Sequence, residues 1–399
     1  MKKLKILSLV VALLMVGGVL TACFDNGGET GVGDDENVIT IGWLGPLTGD
    51  VAQFGTAVQR GVNLYIDQFN AQGGLQIRMI SWDDEGIATR AVTGYRSLVD
   101  QGVAAIIGGV TSGPTMAIVP FAFEDNMPMI TASATHLNVT VSDEDGSVFT
   151  NMFRSCFIDP FQGQSMAEFA VEELGAQTAA ILFSNEIAYS IGLRDAFEER
   201  ANELGLEIVA VENFPDDTVD FSAQLTNIAQ ANPDVLFVPG YIRHIALVGP
   251  QSIEAGLEET ILLGADGWAG TVDFMEDASS LNGSFFLTGF SSEVDDPMVQ
   301  QFIADYQARH GGLPNMFAAQ AFDAAMILVA AIETTLAQTD ANPSSEEFRL
   351  ALIANMAATD LTGVTGRVTF DEYNNPQKTA VILTVVDARE SFNTYWGNI

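Results

Sequence analysis

Only two cysteines, Cys23 and Cys156, occur in the 399 residues. A fold stapled by disulfides is therefore excluded, and the domain must be held by an apolar core, which a chain of this length can supply. Histidine is equally scarce: His136, His244 and His310 are scattered and lack metal-ligand spacing. Lysine is absent between Lys5 and Lys378 and after Lys378. Against 16 basic residues stand 52 acidic ones, a formal charge of -36. Such a field repels nucleic acid and anionic lipid, which excludes both as partners. An acidic, lysine-poor surface also suits a saline environment. The sequence has no GxSxG, no Walker lysine motif, no CxxC and no HExxH. The Gly-rich stretch from Gly42 to Gly49 needs only to make a tight strand-to-helix connection. No enzyme, metal or cofactor is expected, and Cys156, within VFTNMFRSCFI, reads as a buried small hydrophobe rather than a nucleophile.

What the chain does have begins with Lys2, Lys3 and Lys5 ahead of an apolar run closed by Thr21 and Ala22. This order describes an export signal, residues 1–22, and not a fold element. Leu20-Thr21-Ala22-Cys23 resembles the bacterial lipobox, which implies cleavage before Cys23 and a lipid on its sulfur. Residues 23–37 are Gly-rich and acidic, with nothing to bury, and read as a flexible tether. The expected location is extracytoplasmic, in the periplasm or at the cell surface, anchored through Cys23.

From Val38 the pattern turns regular. VITIGWLG reads as a strand entering a Gly-Pro turn, and residues 52–69 place Val58, Val62 and Ile66 on one helical face. LQIRMISWDD, ATRAVTGYRSLVDQG and VAAIIGG continue as strand, helix and short buried strand. Continuous apolar strands between helices argue for a parallel sheet covered on both faces. The rhythm resumes with MAEFAVEELG, TAAILFSN, a helix over 191–204 and LEIVAVENF, so two lobes are expected rather than one sheet. FAAQAFDAAMILVAAIETTLAQ reads as a core helix, too polar through Gln320, Asp323 and Glu333 to span a membrane. The final stretch reads as a hairpin-like pair turning at Asn374-Asn375.

The segment IGWLGPLTGDVAQFGTAVQRGVNLYIDQFNAQGG resembles the opening of the branched-chain amino acid (leucine/isoleucine/valine) binding proteins of ABC importers. Further similar stretches, among them IIGGVTSGPTMAIVP, DFSAQLTNIAQANPDVLFVPGY and LLGADGW, follow in family order. The resemblance implies the type I periplasmic binding fold: two Rossmann-like α/β lobes with central parallel sheets joined by a three-strand hinge. It assigns 38–158 and 289–361 to the first lobe, and 159–288 and 362–399 to the second.

The same resemblance implies the site. Ser112 and Thr135 fall where the family grips an amino acid's carboxylate, with backbone groups at Val110 and Ser133 nearby; both hydroxyls could equally be helix caps. Asp266 stands where leucine-type binders carry a glutamate for the ammonium, one methylene shorter. Tyr189 and Tyr241 match aromatics that close over the ligand, Phe54 would cover its side chain, and Trp268 would form a further wall. Ser190 follows Tyr189 where the family has glycine, and Thr111 stands where a disulfide cysteine would fall. The implied function is capture of an amino acid, aliphatic or otherwise uncharged, by a monomer that delivers it to an ABC permease. Open alternatives are an amide, urea or aromatic acid as solute, and a ligand-sensing module for a membrane receptor.

Overall fold

The computed structural model describes residues 37–397; the signal sequence, Cys23 and most of the tether lie outside the described residues. The first sheet has five parallel strands in the order β2-β1-β3-β4-β5. They are β1 (Val38–Gly45), β2 (Gln76–Asp83), β3 (Ile106–Gly108), β4 (Met129–Thr131) and β5 (Met152–Arg154). Three helices link them, α1 (Ala52–Asn70), α2 (Ala88–Asp100) and α3 (Ser112–Glu124). The parallel sheet follows from sequence: β3, β4 and β5 are buried at every position, which requires cover on both faces. The side chains of α2 and α3 supply one cover through Ala91, Leu98, Ile118 and Val119; α1 supplies the other through Val58, Val62 and Ile66.

The second sheet has seven strands in the order β14-β13-β10-β9-β8-β6-β7. Its parallel part comprises β6 (Thr178–Ser184), β7 (Glu207–Phe214), β8 (Val235–Phe237), β9 (Ile261–Gly264) and β10 (Phe285–Thr288). Helices α4 (Asp159–Glu172) and α5 (Ala188–Leu204) pack on one face, α6 (Ser222–Ala231) and α7 (Ile242–Glu254) on the other, and the short α8 (Thr271–Phe274) follows β9. The chain then returns to the first lobe for α9 (Pro297–His310), α10 (Met316–Gln338) and α11 (Glu346–Ala357). Asp296, Asn315 and Ser345 cap these three helices through their side chains. Helix α10 is long and apolar enough to cross a membrane but lies 83% buried over its apolar window, as the core helix expected from its sequence. It packs along α1, where Gly61 lets the backbones meet: a Cβ there would stand 2.1 Å from the Ala318 carbonyl oxygen.

The C-terminal part departs from expectation. Asn374-Asn375 does turn, with Asn374 left-handed, but it joins only an isolated bridge, Phe370 to Pro376. The paired strands lie on either side: β11 (Asp360–Gly363) with β12 (Gly366–Thr369), and β13 (Ala380–Val386) with β14 (Arg389–Trp396). Strand β13 prefers β10, pairing antiparallel with it and extending the second sheet. The crossover placed at 361/362 therefore falls inside the β11–β12 hairpin, whose turn is bonded to Asp323 of α10 in the first lobe. Phe370 packs on Phe153 of β5, and Asn374 donates to the Thr150 carbonyl. The chain enters the second sheet only at Ala380.

Candidate functional site

In both lobes the loops leaving the carboxyl ends of the parallel strands face the cleft, the usual place for a ligand in an open α/β sheet. From the first lobe, Val110, Thr111 and Ser112 follow β3, Ser133 follows β4, Phe54 stands in the first turn of α1, and Phe317 opens α10. From the second come Tyr189 of α5, Tyr241 at the N-cap of α7, and Asp266 and Gly267 after β9. Together these ten residues enclose a cavity of about 10 Å³. The lobes stand closed: Phe54 meets Tyr241 edge-on across the cleft at 5.3 Å between centroids and also packs on Phe317 at 4.8 Å.

The first-lobe wall is braced from within. Ser133 donates to the Val110 carbonyl at 2.7 Å, and Thr131 donates to the Gly109 carbonyl at 2.6 Å while accepting from Ala134 N at 3.0 Å. Ser112 begins α3 and accepts from His136 N at 3.3 Å, so its hydroxyl joins the two loops at a helix start. The dipole and free N–H groups of that terminus favour a negative charge. Beneath it lies Arg154, wholly buried, which donates to the carbonyls of Ala134 and His136 at 3.2 and 3.1 Å and to the Thr140 hydroxyl at 3.0 Å.

The second-lobe wall carries the charge. Asp266 accepts from the Tyr189 hydroxyl at 2.8 Å, and that hydroxyl accepts in turn from Gly267 N at 2.8 Å. Gln162 of α4 accepts from Asp266 N at 3.0 Å. At Gly267 a Cβ would lie 2.7 Å from both the Gly240 carbonyl oxygen and the Tyr189 hydroxyl, so any side chain there must displace one of them. Tyr189 stacks on Tyr241 at 5.1 Å and 17°. Burial pushes the Asp266 carboxyl up to about 6, against the opposing hydrogen bonds from Tyr189, Gln162 and Gly267. A carboxylate poised this way gains most from a cation brought beside it.

Eight of the nine residues singled out from sequence for the cleft fall in or beside it, counting Thr135 in the shell behind; the exception is Trp268. The tight turn after β9 sends the Trp268 indole back under Gly264, where it donates to the Val238 carbonyl at 2.8 Å and packs toward Phe286. Trp268 is a core residue and no wall of the cavity. Thr135 is buried behind the lining; its carbonyl accepts from Asp159 N at 2.9 Å. Asp159, Gln162, Arg154, Phe317, Thr111 and Gly267 went unassigned from sequence. Asp159 carried a signal, a carboxylate set directly before proline in an apolar run, and it lies fully buried at the start of α4. Its burial drives the carboxyl well above the ordinary range, the Thr135 hydroxyl opposes that shift, and the Asp266 charge reinforces it. Cys156 is buried as expected, and burial pushes its thiol up to about 12. Among the described residues no group of three His, Cys, Asp or Glu side chains could hold a metal ion.

Two lobes that meet over a small site lined by hydroxyls, aromatics and one ionisable carboxyl define a solute-binding clamp. The sequence profile of the family described as periplasmic binding protein matches residues 38–391. The chain belongs to that family; it is an extracytoplasmic binding component and not an enzyme. It is similar to the Leu/Ile/Val-binding protein BraC3 of Rhizobium johnstonii, at 28% identity over 337 residues, 84% of this chain and 88% of that one. Among solved structures it is similar to the branched-chain amino acid transporter substrate binding protein LivJ of Streptococcus pneumoniae in complex with isoleucine. That likeness has a TM-score of 0.79 at 30% identity and covers 90% of this chain and 98% of the other. The solute binding protein of an ABC transporter from R. palustris in complex with benzoate has the same fold, with a TM-score of 0.81 at 22% identity over 91% of this chain and 98% of that one.

Proposed function

We propose that this chain captures an uncharged aliphatic amino acid between its lobes and delivers it to the permease of an ABC importer. The observation that carries the reading is the polarity of the cleft: a buried carboxyl, Asp266, on one wall, and the hydroxyl and helix start at Ser112 on the other. A zwitterion offers an ammonium to the first and a carboxylate to the second. Ser112, with the backbone at Val110 and Ser133, grips the carboxylate; Asp266, held by Tyr189, takes the ammonium. Phe54, Phe317 and Tyr241 surround an apolar side chain. Thr135 supports the grip from behind, through Asp159. The relatives that bind leucine, isoleucine and valine favour the same class of solute.

A cavity of about 10 Å³ is far smaller than an amino acid, so entry requires the lobes to part and the Phe54–Tyr241 contact to break. Binding energy then selects a closed form that presents both lobes to the membrane partner. Lipid on Cys23 would tether a monomeric clamp beside its permease.

A thermal-shift screen of the purified protein against the amino acids and against small amides and aromatic acids tests this reading, because a solute that binds only the folded chain raises its melting temperature. Stabilisation by isoleucine, leucine or valine is expected. Silence from every amino acid with a response to benzoate or an amide would overturn the solute class.

A further inference from the structure

From Met316 to Ile332 helix α10 is apolar except at Gln320 and Asp323, and that short polar stripe is where the lobe connections converge. Gln320 and Asp323 lie one turn apart, both fully buried. The first connection reaches the stripe through Ser155, whose hydroxyl donates to the Gln320 carbonyl at 2.8 Å. The second passes at Gly289, where a Cβ would stand 2.3 Å from Gln320 Nε2. The third arrives through Lys378 and the hairpin turn before it. Asp323 accepts from Val364 N at 2.8 Å, from Thr365 N at 2.9 Å and from the Thr365 hydroxyl. The Lys378 ammonium donates to the Ser155 carbonyl at 3.0 Å and to the Thr365 hydroxyl, and lies 3.8 Å from Asp323.

Lys378 is the only lysine beyond Lys5; every other basic residue beyond that point is an arginine. A compact ammonium donates to the Ser155 carbonyl and the Thr365 hydroxyl while its charge faces the Asp323 carboxylate. A planar guanidinium with five donors would leave some buried and unpaired. Sealing an ion pair in the interior is costly, and hydrophobic residues often stabilise as well or better. A role in specifying geometry accounts for retaining the pair.

We propose that Lys378 and Asp323 are positioning residues for closure: by fastening the connections at Ser155 and Thr365–Lys378 to the turn of α10 against which Gly289 packs, they make the three flex as a unit about a single axis. Neither residue lines the solute cavity, so the role is distinct from binding and is read without any solute.

Hydrogen exchange of the solute-free protein, resolved by mass spectrometry, tests it with Lys378→Met and with the milder Thr365→Val, which keeps both charges. Amide exchange is expected to rise by about tenfold or more in all three connections together, 155–158, 289–296 and 364–379, with β1 and β6 unchanged. Acceleration confined to 364–379 would show a local structural role and overturn the proposal. Should Lys378→Met fail to fold, the same comparison on Thr365→Val decides.

Discussion

The guanidinium of Arg243, on the first turn of α7, stands 3.1 Å from the carboxylate of Asp50 in the opposite lobe. Among the ion pairs of the described residues it is the one that bridges the mouth of the cleft, and Arg243 also pairs with Asp216 of its own lobe at 2.9 Å. Around it Glu85, Glu186, Asp50 and Asp216 make an acidic vestibule of about 550 Å³ that leads to Tyr241 and Thr111. Opening must break the Arg243–Asp50 pair, while the Lys378–Asp323 pair at the hinge can persist.

Asp50→Asn removes this latch. Because the Asp50 side chain is 77% exposed, the pair is screened and worth no more than about 1 kcal/mol. Stopped-flow fluorescence with isoleucine is expected to show solute release faster by no more than about fivefold. Raising salt from about 0.05 to 0.5 M should speed release from the parent protein and leave the variant almost unaffected. Equal salt sensitivity in both would remove the latch.

Asp266→Ala takes away the proposed partner of the ammonium. Losing one member of a desolvated charge pair costs several kcal/mol, so affinity for isoleucine should fall by about 100-fold or more in calorimetry. The melting temperature of the solute-free protein should fall little or rise, since a strained buried carboxyl is lost with it.

The same carboxyl predicts a pH dependence. Its folded value, about 6, lies above its ordinary one, so the solute-free closed form loses stability as pH rises from about 4 through 6. Binding an ammonium needs the ionised form, so affinity should run the opposite way. It should hold above about pH 7 and fall as pH drops below about 6, approaching tenfold per unit. Burial and the Asp266 charge drive Asp159 and Tyr189 upward, in the same direction as Asp266, and the Tyr189 hydroxyl, alkaline to begin with, stays protonated through this range. An affinity flat from pH 5 to 8 would contradict the assignment.

Gly267→Ala is expected to displace the Tyr189 hydroxyl that both Asp266 and Gly267 N use. Affinity should drop by about tenfold or more, the scale of one hydrogen bond to a charged group, in a chain that still folds and melts cooperatively.

The fold was legible where periodicity is strong. The parallel strands of both lobes, α1 and the buried α10 all lie where the apolar pattern puts them, and helix α5 begins only three residues before the expected 191. Legibility ended where tertiary pairing overrides local pattern. Asn374-Asn375 turns as its residues dictate, but β13 joins β10 and β14 rather than folding back on β12, and no local signal records that choice. At the site, residues sitting on strand-end loops were readable through resemblance: Ser112, Tyr241 and Asp266 all line the cavity. Trp268 misled because neighbours in a tight turn point to opposite sides. Arg154 and Asp159 stayed hidden because their roles arise only when the first connection carries them beneath the loops after β3 and β4.

Titration calorimetry of the purified protein at pH 7.5, about 1.5 units above the Asp266 value, with isoleucine and benzoate in separate runs, decides whether Asp266 receives an ammonium. That role predicts one-to-one binding of isoleucine and no measurable heat of binding from benzoate, which brings a carboxylate but no ammonium to Asp266. Saturable binding of benzoate with none of isoleucine would contradict it.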